Sequence, residues 1–504
     1  MPDPTLRALP KGPLAAIDMG SNSFRLELGQ VLHGRYRRID YLKETVRLGA
    51  GLDADRLLTE DAVQRGLACL RRFATRLTGF APAQVRAVAT QTLREAGNRD
   101  AFLLRAQAAL GFPIEVISGR EEARLIYAGV AQLQPSELPR LVIDIGGRST
   151  ELILGQGRVP TQAESFAVGC VSLSMRFFEG GRLTEAGFRA AQVAAGAELE
   201  EALQPFARHR WQQALGSSGT AGAVSQVLAA AGLSDGAITP EGLRWCIERC
   251  IAAGHVDRIE LPGLKPERRA VLPGGLAILY TLAANFGIAE IRPAKGALRQ
   301  GVIVDLHERL QAARSSRASG DMRDTSVAEL QARFGVDTLQ AERVAGVALA
   351  LFDAVLPVAD AETRRELGWA CQLHEIGQMV SHHDHHRHSA YLLAHVDAPG
   401  FSQSQQRRIG ELVLGQRGGL RKLEAALASE TLAWQVLCLR LAVIKCHARD
   451  AVRNDALQLR ARGRDALLGY APGWARTHPR TVFLLHEEAA AWARTGALRL
   501  QLPD

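Results

Sequence analysis

The sequence has no uninterrupted apolar run that approaches the roughly 18 residues of a membrane-spanning helix. The apolar stretch 345–359 is broken by Asp353 and Pro357. No apolar segment follows Lys11, so we expect no secretory signal. With 47% hydrophobic and 23% charged residues, the composition is that of an ordinary globular protein. The absence of such runs argues against a membrane-spanning helix. The 504 residues predict about two to four domains.

Cysteine and lysine are both scarce. The seven cysteines are scattered and odd in number, which indicates a reduced, cytoplasmic chain. Cys246 and Cys250 lie one helical turn apart, but they have no second ligand pair nearby in the sequence, so we expect no zinc site there. Six lysines stand beside many arginines, and the net charge is +8. An excess of arginine over lysine is explained equally well by genomic base composition and by function. The planar guanidinium group of arginine is nevertheless well suited to bind phosphate oxygens. The charge favours a polyanionic partner: a nucleotide, a nucleic acid or an inorganic phosphate chain.

Two stretches of the sequence, residues 17–29 and 143–155, are versions of one another. Seven of their thirteen aligned positions are identical. Each has an apolar run, then Asp-x-Gly with small polar residues, then an alternating stretch, which predicts a strand, a turn and a returning strand. Such turns let backbone N–H groups converge on an anion, while Asp18 and Asp144 would repel phosphate unless a divalent cation or water intervened. Either copy alone is equally an ordinary Asp-Gly hairpin, but the repeat favours a two-sided phosphate clamp.

Three further segments are candidates for phosphate chemistry. Arg94 stands where a predicted strand passes into a helix, within reach of a phosphate, although solvation alone explains an arginine there. Ser118 is the predicted N-cap of a helix whose first turn holds Glu121 and Glu122. These acids favour the helix dipole, or one of them projects between the hairpins as a general base. The small-residue turn 216–220 precedes another helix and is a candidate anion or nucleotide site.

The last third of the chain differs in character. Loss of apolar periodicity between residues 312 and 323 predicts a domain boundary, beyond which we expect only helices. Seven of the fourteen histidines lie between His374 and His395. Their density suggests a metal site, but adjacent histidines on a polar loop cannot all face one ion, so a solvated, anion-binding loop is the alternative. Residues 401–504 carry sixteen Lys or Arg against nine Asp or Glu, which makes them the most basic region.

Together these segments resemble the exopolyphosphatase and guanosine pentaphosphatase family of the actin-like and sugar-kinase superfamily. The resemblance covers essentially the full length. It rests on Asp18-x-Gly-Ser-Asn-Ser, Thr92-Leu93-Arg94, Ile117-Ser118-Gly119-x-Glu121-Glu122-Ala123, Asp144-x-Gly-Gly-x-Ser-Thr-Glu151 and Ser218-Gly219-Thr220, in the family's order and spacing. In the C-terminal third, residues 373–377 and 386–391 resemble the helical extension of long exopolyphosphatases.

The resemblance implies an α/β fold of two ribonuclease-H-like (actin-like ATPase) domains, residues 1–130 and 131–312, facing each other across a cleft. An all-α, HD-like region, residues 321–504, follows. In the family this extension lengthens the cleft into a channel and often joins two subunits, so we expect a homodimer. Peripheral membrane association is an open possibility, and no nucleic acid is required.

Carried over residue by residue, the resemblance implies that Glu122 is the catalytic glutamate. Asp144 and Glu151 match positions that hold Mg²⁺ or orient its waters. The predicted phosphate-binding residues are Ser21, Asn22, Ser23, Arg94, Gly146, Gly147, Arg148, Ser149, Ser218, Gly219 and Thr220. His386, Arg387 and His388 are assigned to a polyphosphate channel.

Three positions depart from the family pattern. Arg148 stands where the family's loop usually has a third glycine, so either its guanidinium grips a phosphate or its side chain forces the loop back. Lys295 precedes a glycine where relatives commonly have aspartate. His374-Glu375 replaces the His-Asp pair of active HD metal sites, as in long exopolyphosphatases, so we expect the extension to bind substrate rather than cleave it.

The expected activity is Mg²⁺-dependent, processive removal of orthophosphate from the ends of inorganic polyphosphate. Hydrolysis of guanosine pentaphosphate by the same site is the nearest alternative. An actin-like or sugar-kinase ATPase is disfavoured by the Glu121-Glu122 helix. A non-catalytic polyphosphate-binding protein would result if Arg148 blocked the inner site.

Overall fold

The computed structural model describes residues 12–312, 321–449 and 456–503, and the chain forms two compact units that divide between Asp321 and Met322. Residues 313–320 of the predicted boundary lie outside the described residues. Within the described ranges, no helix combines the length and apolar character needed to cross a membrane.

The first unit contains two five-stranded sheets. Its strands are β1 (Leu14–Met19), β2 (Ser23–Leu32), β3 (Arg35–Thr45), β4 (Val85–Ala89), β5 (Ile114–Val116), β6 (Arg140–Ile145), β7 (Thr150–Gln156), β8 (Val159–Phe166), β9 (Gln213–Ser217) and β10 (Arg292–Pro293). The strand order is β3-β2-β1-β4-β5 in one sheet and β8-β7-β6-β9-β10 in the other. In both sheets three consecutive antiparallel strands are followed by two strands parallel to the first. The repeated sequence stretches therefore belong to two sheets of the same topology.

Helices cover both faces of each sheet. They are α1 (Glu60–Arg76), α2 (Gln91–Glu95), α3 (Arg99–Leu110), α4 (Gly119–Leu133), α5 (Cys170–Phe177), α6 (Glu185–Leu199), α7 (Ser218–Ala230), α8 (Pro240–Ala253), α9 (Leu272–Asn285) and α10 (Leu298–Ala312). One apolar core combines α4 and α10 with residues of both sheets, so these two helices form a central layer. The first sheet packs its other face on α1 and α3, and the second packs its other face on α5 to α9.

Strand periodicity directs the two aspartates to the same layer. In β1, Leu14 and Ala16 contribute to the central core, whereas Ala15, Ile17 and Met19 pack on the outer helices. Because successive side chains alternate, Asp18 faces the central layer, as Leu14 and Ala16 do. The second sheet repeats the pattern, because Val142 belongs to the central core and precedes Asp144 by two positions. Each strand thus carries its carboxylate to the side of α4 and α10.

The second unit is mainly helical, as expected for the C-terminal region. Its helices are α11 (Met322–Arg333), α12 (Thr338–Val355), α13 (Ala361–Leu373), α14 (His385–His395), α15 (Gln403–Gly415), α16 (Glu430–Lys445), α17 (Trp474–Thr477) and α18 (Pro479–Ala493). The prediction of an all-α region is wrong in one part, since β11 (Leu457–Arg462), β12 (Asp465–Tyr470) and β13 (Arg499–Gln501) form a small sheet. The reason is a period of two, with Leu457 and Leu459 buried between exposed polar residues.

Candidate active site

The two repeated stretches form hairpins with matching registers. In the first, β1 and β2 pair so that Asp18 lies opposite Arg25. In the second, β6 and β7 pair so that Asp144 lies opposite Glu151. The Gly146 N–H donates to the Ser149 carbonyl across the second turn, with the two atoms 2.9 Å apart. Each Asp-x-Gly turn therefore lies at the rim of its sheet with a carboxylate at its base.

The two turns touch each other. A Cβ on Gly147 would lie 3.0 Å from the Ser21 Cβ, so only a glycine allows this approach without adjustment. Thr92 Oγ1 donates to Ser21 Oγ at 2.8 Å, which fixes the first turn to the start of α2. A Cβ on Gly169 would lie 2.4 Å from the backbone of Gly147 and of Arg148, so the second turn also requires glycine at the start of α5. The contact places donors from both turns at one end of a shared cleft.

A cleft of about 320 Å³ lies between the hairpins. It brings together most of the predicted site residues: Ser21, Asn22, Ser23, Glu122, Asp144, Gly146, Gly147, Ser149, Ser218 and Gly219. Of the predicted catalytic, phosphate-binding and metal residues, four do not line it, namely Arg94, Glu151, Thr220 and Arg148.

The first turn of α7 is hydrogen-bonded to the second hairpin. Ser218 Oγ and Thr220 Oγ1 both donate to the Ile145 carbonyl, at 3.0 and 3.3 Å. Ser218 has a φ of +65°, a left-handed conformation that a serine seldom adopts. The hydroxyl contacts hold that conformation and place Ser218 near Asp144, where the hydroxyls of Ser217 and Ser218 partly offset the rise that burial causes in the pKa of Asp144.

The adjacent acids Glu121 and Glu122 have different surroundings. Ser118 caps α4 by accepting from the Glu121 N–H at 3.2 Å, as predicted. Glu121 points into a buried ionic network, where Arg124 donates to both of its oxygens at 2.7 and 2.8 Å. Asp305 of α10 also accepts from Arg124, at 2.5 Å. This network accounts for Glu121 structurally and leaves Glu122 to face the cleft.

Glu122 is a buried carboxyl with one close cationic partner. Arg94 Nη1 donates to Glu122 Oε2 at 2.9 Å. Burial raises the pKa of the Glu122 carboxyl to about 7, against the lowering effect of Arg94 and with a further rise from Asp18 and Asp144. A carboxyl with a pKa near neutrality is suited to accept a proton from water.

Two buried polar groups, one on the arginine that contacts Glu122 and one at the start of β2, have unused donors. Among the residues that the structure describes, Arg94 Nη2 and Ser23 Oγ are buried and have no hydrogen-bond partner. Arg94 is otherwise held in place, because Nη1 also donates to the Ile117 carbonyl at 3.0 Å. Leaving a buried donor unsatisfied costs about 1–3 kcal/mol, so these groups favour an anionic ligand that would accept from them.

The second hairpin concentrates negative charge. Burial raises the pKa of Glu151 well above its ordinary value, and the nearby charges of Glu122 and Asp144 raise it further. Burial likewise raises the pKa of Asp144. Ser165 Oγ donates to Glu151 Oε1 at 2.8 Å. Two desolvated carboxylates on adjacent strands form a hard-oxygen donor set that fits a divalent cation such as Mg²⁺.

Protein side chains alone do not complete a metal cage. In residues 12–312, 321–449 and 456–503, no group of three or more His, Cys, Asp or Glu side chains is arranged to hold a metal ion. A cation at Asp144 and Glu151 would therefore need water and substrate oxygens as its remaining ligands, which is how Mg²⁺ is commonly bound with phosphates.

The sequence patterns do not identify the basic residues that line the cleft away from the turns. They are Arg25, Arg38, Lys43, Arg268 and Arg299, beside Lys295. Burial and the charges of Arg268 and Arg25 lower the pKa of Lys43. A Cβ on Gly219 would lie 1.8 Å from an Arg268 nitrogen, so glycine at that position makes room for the arginine. For one of them, Arg25, the sequence held a signal, because Arg25 aligns with the acidic Glu151 in the repeat.

The predicted channel residues lie in the second unit, at the start of α14. His386 is buried, and burial with the charges of Lys422 and Arg417 lowers its pKa to about 4. Arg387 is exposed and lies 3.6 Å from Asp384. His388 is partly buried on the same helix. Only Arg387 of the three predicted positions is an exposed cation, and the role of these positions in a channel stays a prediction.

The His374-Glu375 pair makes structural contacts. His374 Nδ1 lies 2.6 Å from the Cys371 carbonyl, and Arg449 donates to Glu375 Oε1 at 2.6 Å. The two side chains approach one another only to 3.9 Å.

Comparison with known proteins agrees with this geometry. The model of the Ppx/GppA phosphatase family matches residues 31–310, and the model of Ppx/GppA phosphatase domain III matches residues 322–489. An exopolyphosphatase-like protein of known structure is 25% identical over 60% of this chain and 99% of its own, with a TM-score of 0.53. An exopolyphosphatase from Cytophaga hutchinsonii is 24% identical over 60% of this chain and 98% of its own, and its TM-score is also 0.53. The two family matches together cover both units, and this chain belongs to the Ppx/GppA phosphatase family.

Proposed function

We propose that the protein is an exopolyphosphatase that hydrolyses the terminal phosphoanhydride bond of inorganic polyphosphate. The observation that carries the proposal is Glu122, a buried carboxyl with a pKa near 7, at the cleft between two phosphate-type turns. Family membership supports a phosphatase. The repeated strand order supports the expectation of two ribonuclease-H-like domains.

In the proposed reaction, some residues bind the phosphoryl group and Glu122 accepts the proton. Backbone N–H groups of the turns at Gly20 and Gly146, with the unused donors of Arg94 and Ser23, would bind the terminal phosphoryl oxygens. Glu122 would orient a water and accept its proton as the water oxygen bonds to phosphorus. The bridging P–O bond then breaks, and the shortened chain leaves with the electron pair of that bond.

Magnesium fits the second hairpin in this scheme. Asp144 and Glu151 would hold the ion or its waters, because both carboxyl groups are buried and their raised pKa values would be lowered by a bound cation. When bound, the ion would neutralise charge on the phosphate oxygens. The residues of the chain keep the remaining tasks of positioning the phosphoryl group and moving the proton.

The basic lining favours a polymer as substrate. Six cations line the cleft, namely Arg25, Arg38, Lys43, Arg268, Lys295 and Arg299. Three of them, Arg25, Arg38 and Arg299, also contact Asp18 or Glu27. A chain of phosphates presents regularly spaced charges to such a surface, and contacts away from the scissile bond would retain the shortened chain for another cycle.

Tyr41 supports the alternative substrate, guanosine pentaphosphate. It is an aromatic side chain in the cleft lining, and the Arg38 and Arg299 guanidinium groups lie 5.4 and 5.2 Å from its ring centre. An exposed ring flanked by arginines can stack on a base. Tyr41→Ala separates the substrates, because it should weaken hydrolysis of guanosine pentaphosphate and leave polyphosphate hydrolysis nearly unchanged.

The direct test of the site compares Glu122→Gln with the wild type. The amide keeps the shape of the carboxyl but does not accept the proton, so phosphate release should fall by about 100-fold or more while polyphosphate binding persists. Glu60→Gln is the matched control, since Glu60 is exposed on α1 at the outer face of the first sheet. Turnover by Glu122→Gln at the wild-type rate would remove Glu122 from its role. Binding by the wild type without any phosphate release would instead indicate a polyphosphate-binding protein.

A further inference from the structure

The side chain of Arg148 extends from the turn of the second hairpin to residues that flank the first sheet. Its Nε and Nη2 atoms lie 2.9 and 2.7 Å from Glu95 Oε2, at the end of α2. Its Nη1 atom donates to the Gly49 carbonyl at 3.2 Å. Both side chains of the ion pair are about four-fifths buried, at 22% and 20% exposure. The guanidinium is therefore committed to α2 and to the segment after β3, and it does not line the cleft.

The contact with Glu95 continues as a chain of hydrogen bonds. Gln91 Nε2 donates to the second oxygen of Glu95, Oε1, at 2.6 Å. Gln91 Oε1 accepts from Arg94 Nε at 2.9 Å. Arg94 Nη1 then donates to Glu122 Oε2 at 2.9 Å. An unbroken path of four side-chain contacts thus joins Arg148 in the second hairpin to the carboxyl on α4.

Each member of this chain fixes the orientation of the next. Gln91 has one donating and one accepting end, and both are used, so its amide has a single orientation while Glu95 is held. That orientation presents an acceptor to Arg94 Nε, which sets the plane of the guanidinium. The plane in turn decides whether Nη1 reaches Glu122 and where Nη2 points. Loss of the Arg148 contact would free Glu95 and allow the amide to turn over.

We propose that Arg148 is a positioning residue that aligns Arg94 with Glu122 through Glu95 and Gln91. The inference rests on the proposed function, in which Glu122 accepts the proton of the attacking water. In this proposal the α2 side chains Gln91, Arg94 and Glu95 together transmit the position of Arg148 to Glu122. Arg148 acts on the catalytic step without binding the substrate.

This role predicts a specific kinetic signature. Misalignment of a catalytic group by less than 1 Å lowers the rate of the chemical step. Of the proposed phosphate donors only Arg94 Nη2 is displaced, and the donors of the turns are unchanged. Arg148→Ala should therefore lower kcat by about 10- to 100-fold and change KM less than about threefold. Glu95→Gln should lower kcat similarly, because the amide replaces one acceptor oxygen by a donor without changing the volume of the side chain.

The test measures kcat and KM for phosphate release from long-chain polyphosphate by the wild type, both single variants and the double variant. Both substitutions break the same hydrogen-bond path. The kcat of the double variant should therefore be no lower than that of the slower single variant, and well above the value expected if the two losses multiplied. Arg105→Ala is the matched control. It removes a two-bonded Arg–Glu pair of α3 and α1, at 2.9 and 2.7 Å, on the outer face of the first sheet.

Each outcome distinguishes the possibilities. A higher KM with unchanged kcat in Arg148→Ala would mean that Arg148 binds phosphate and would overturn the proposal. Wild-type kinetics in Arg148→Ala, or multiplied losses in the double variant, would also overturn it. Glu95→Gln decides the question if Arg148→Ala fails to fold. Failure of the proposed function would look different, since the wild type itself would release no phosphate.

Discussion

The two hairpins have the same backbone arrangement but opposite charge at one cross-strand position. In the first, Asp18 lies opposite Arg25, and Arg25 Nη1 contacts its carboxylate at 3.1 Å. Arg299 contacts the same oxygen at 3.4 Å. In the second, Asp144 lies opposite Glu151, so two acids occupy the place of an acid and a base. The duplicated turn has become one self-neutralised hairpin and one that carries unbalanced negative charge.

The difference shows how one repeat can supply two functions. The first hairpin needs no added ion, so its turn is free to bind phosphate with its amides and hydroxyls. In the second, burial raises the pKa of both acids and the charge of Asp144 raises that of Glu151 further, so a bound cation would favour their ionised forms. Glu122 lies at the cleft between the two hairpins, and its cationic partner Arg94 belongs to α2, beside the first sheet.

The largest expected effect comes from the aspartates at matching positions. Asp144→Asn should lower kcat/KM for polyphosphate by about 100-fold or more, because it removes one carboxylate of the proposed Mg²⁺ pair. Asp18→Asn should cost about 10-fold, since Arg25 and Arg299 already neutralise that carboxylate. Steady-state kinetics at saturating Mg²⁺ checks the ratio. Equal losses in the two variants would break the distinction between the hairpins.

A smaller effect concerns stability and its dependence on metal. In the presence of chelator, Glu151→Gln should raise the free energy of unfolding by on the order of 1 kcal/mol, because it relieves the repulsion with Asp144 and Glu122. Added Mg²⁺ should stabilise the wild type and stabilise this variant less. Arg25→Gln, at the aligned position, should instead lose about 1–2 kcal/mol with or without Mg²⁺, since Asp18 loses a partner.

Thermal unfolding with Mg²⁺ and with chelator measures these differences without reference to activity. An equal Mg²⁺ response in the wild type and Glu151→Gln would contradict the assignment of the metal to the second hairpin.

The smallest effect is a pH dependence confined to the first hairpin. Burial would raise the pKa of Glu27, but the hydrogen bond from Tyr36 and the charge of Arg299 bring it below its ordinary value. The folded protein therefore holds the ionised form more strongly than the unfolded chain does. The resulting stability is present above about pH 4.5 and is lost as pH falls towards the folded pKa. Glu27→Gln cannot titrate, so the advantage of the wild type over this variant should shrink below about pH 4.5, by on the order of 1 kcal/mol.

Denaturant unfolding at pH 3 to 7 measures that advantage. The second copy has Ile153 at the aligned position and contributes nothing of this kind. A difference between wild type and Glu27→Gln that stays constant with pH would show that the hydrogen bonds do not favour the charged form.

The sequence alone predicts the parts of the site that local rules govern. Asp-x-Gly with small residues after an apolar run determines both turns, and strand alternation accounts for the direction of Asp18 and Asp144. The capping residue Ser118 is also a local feature. Most predicted phosphate-binding residues accordingly line one cleft.

Long-range contacts could not be predicted in this way. Glu121 and Glu122 are neighbours on one helix, and only Asp305, with Arg124 and Arg86 bonded to it, shows that Glu121 belongs to a buried network. The partner of Arg148 is Glu95, which is 53 residues away in the sequence and lies on α2, beside the first sheet. The sheet in the second unit was missed for a different reason, since the alternation of Leu457 and Leu459 is short and lies between strongly helical segments.

The central claim is that the cleft hydrolyses polyphosphate with help from Mg²⁺. The most direct test measures phosphate release from long-chain polyphosphate, guanosine pentaphosphate and ATP in parallel, with Mg²⁺ and with chelator. We expect fast release from polyphosphate only with Mg²⁺, with long chains persisting beside free phosphate because the enzyme stays bound between cycles. Release from guanosine pentaphosphate alone, or equal release in chelator, would contradict the claim.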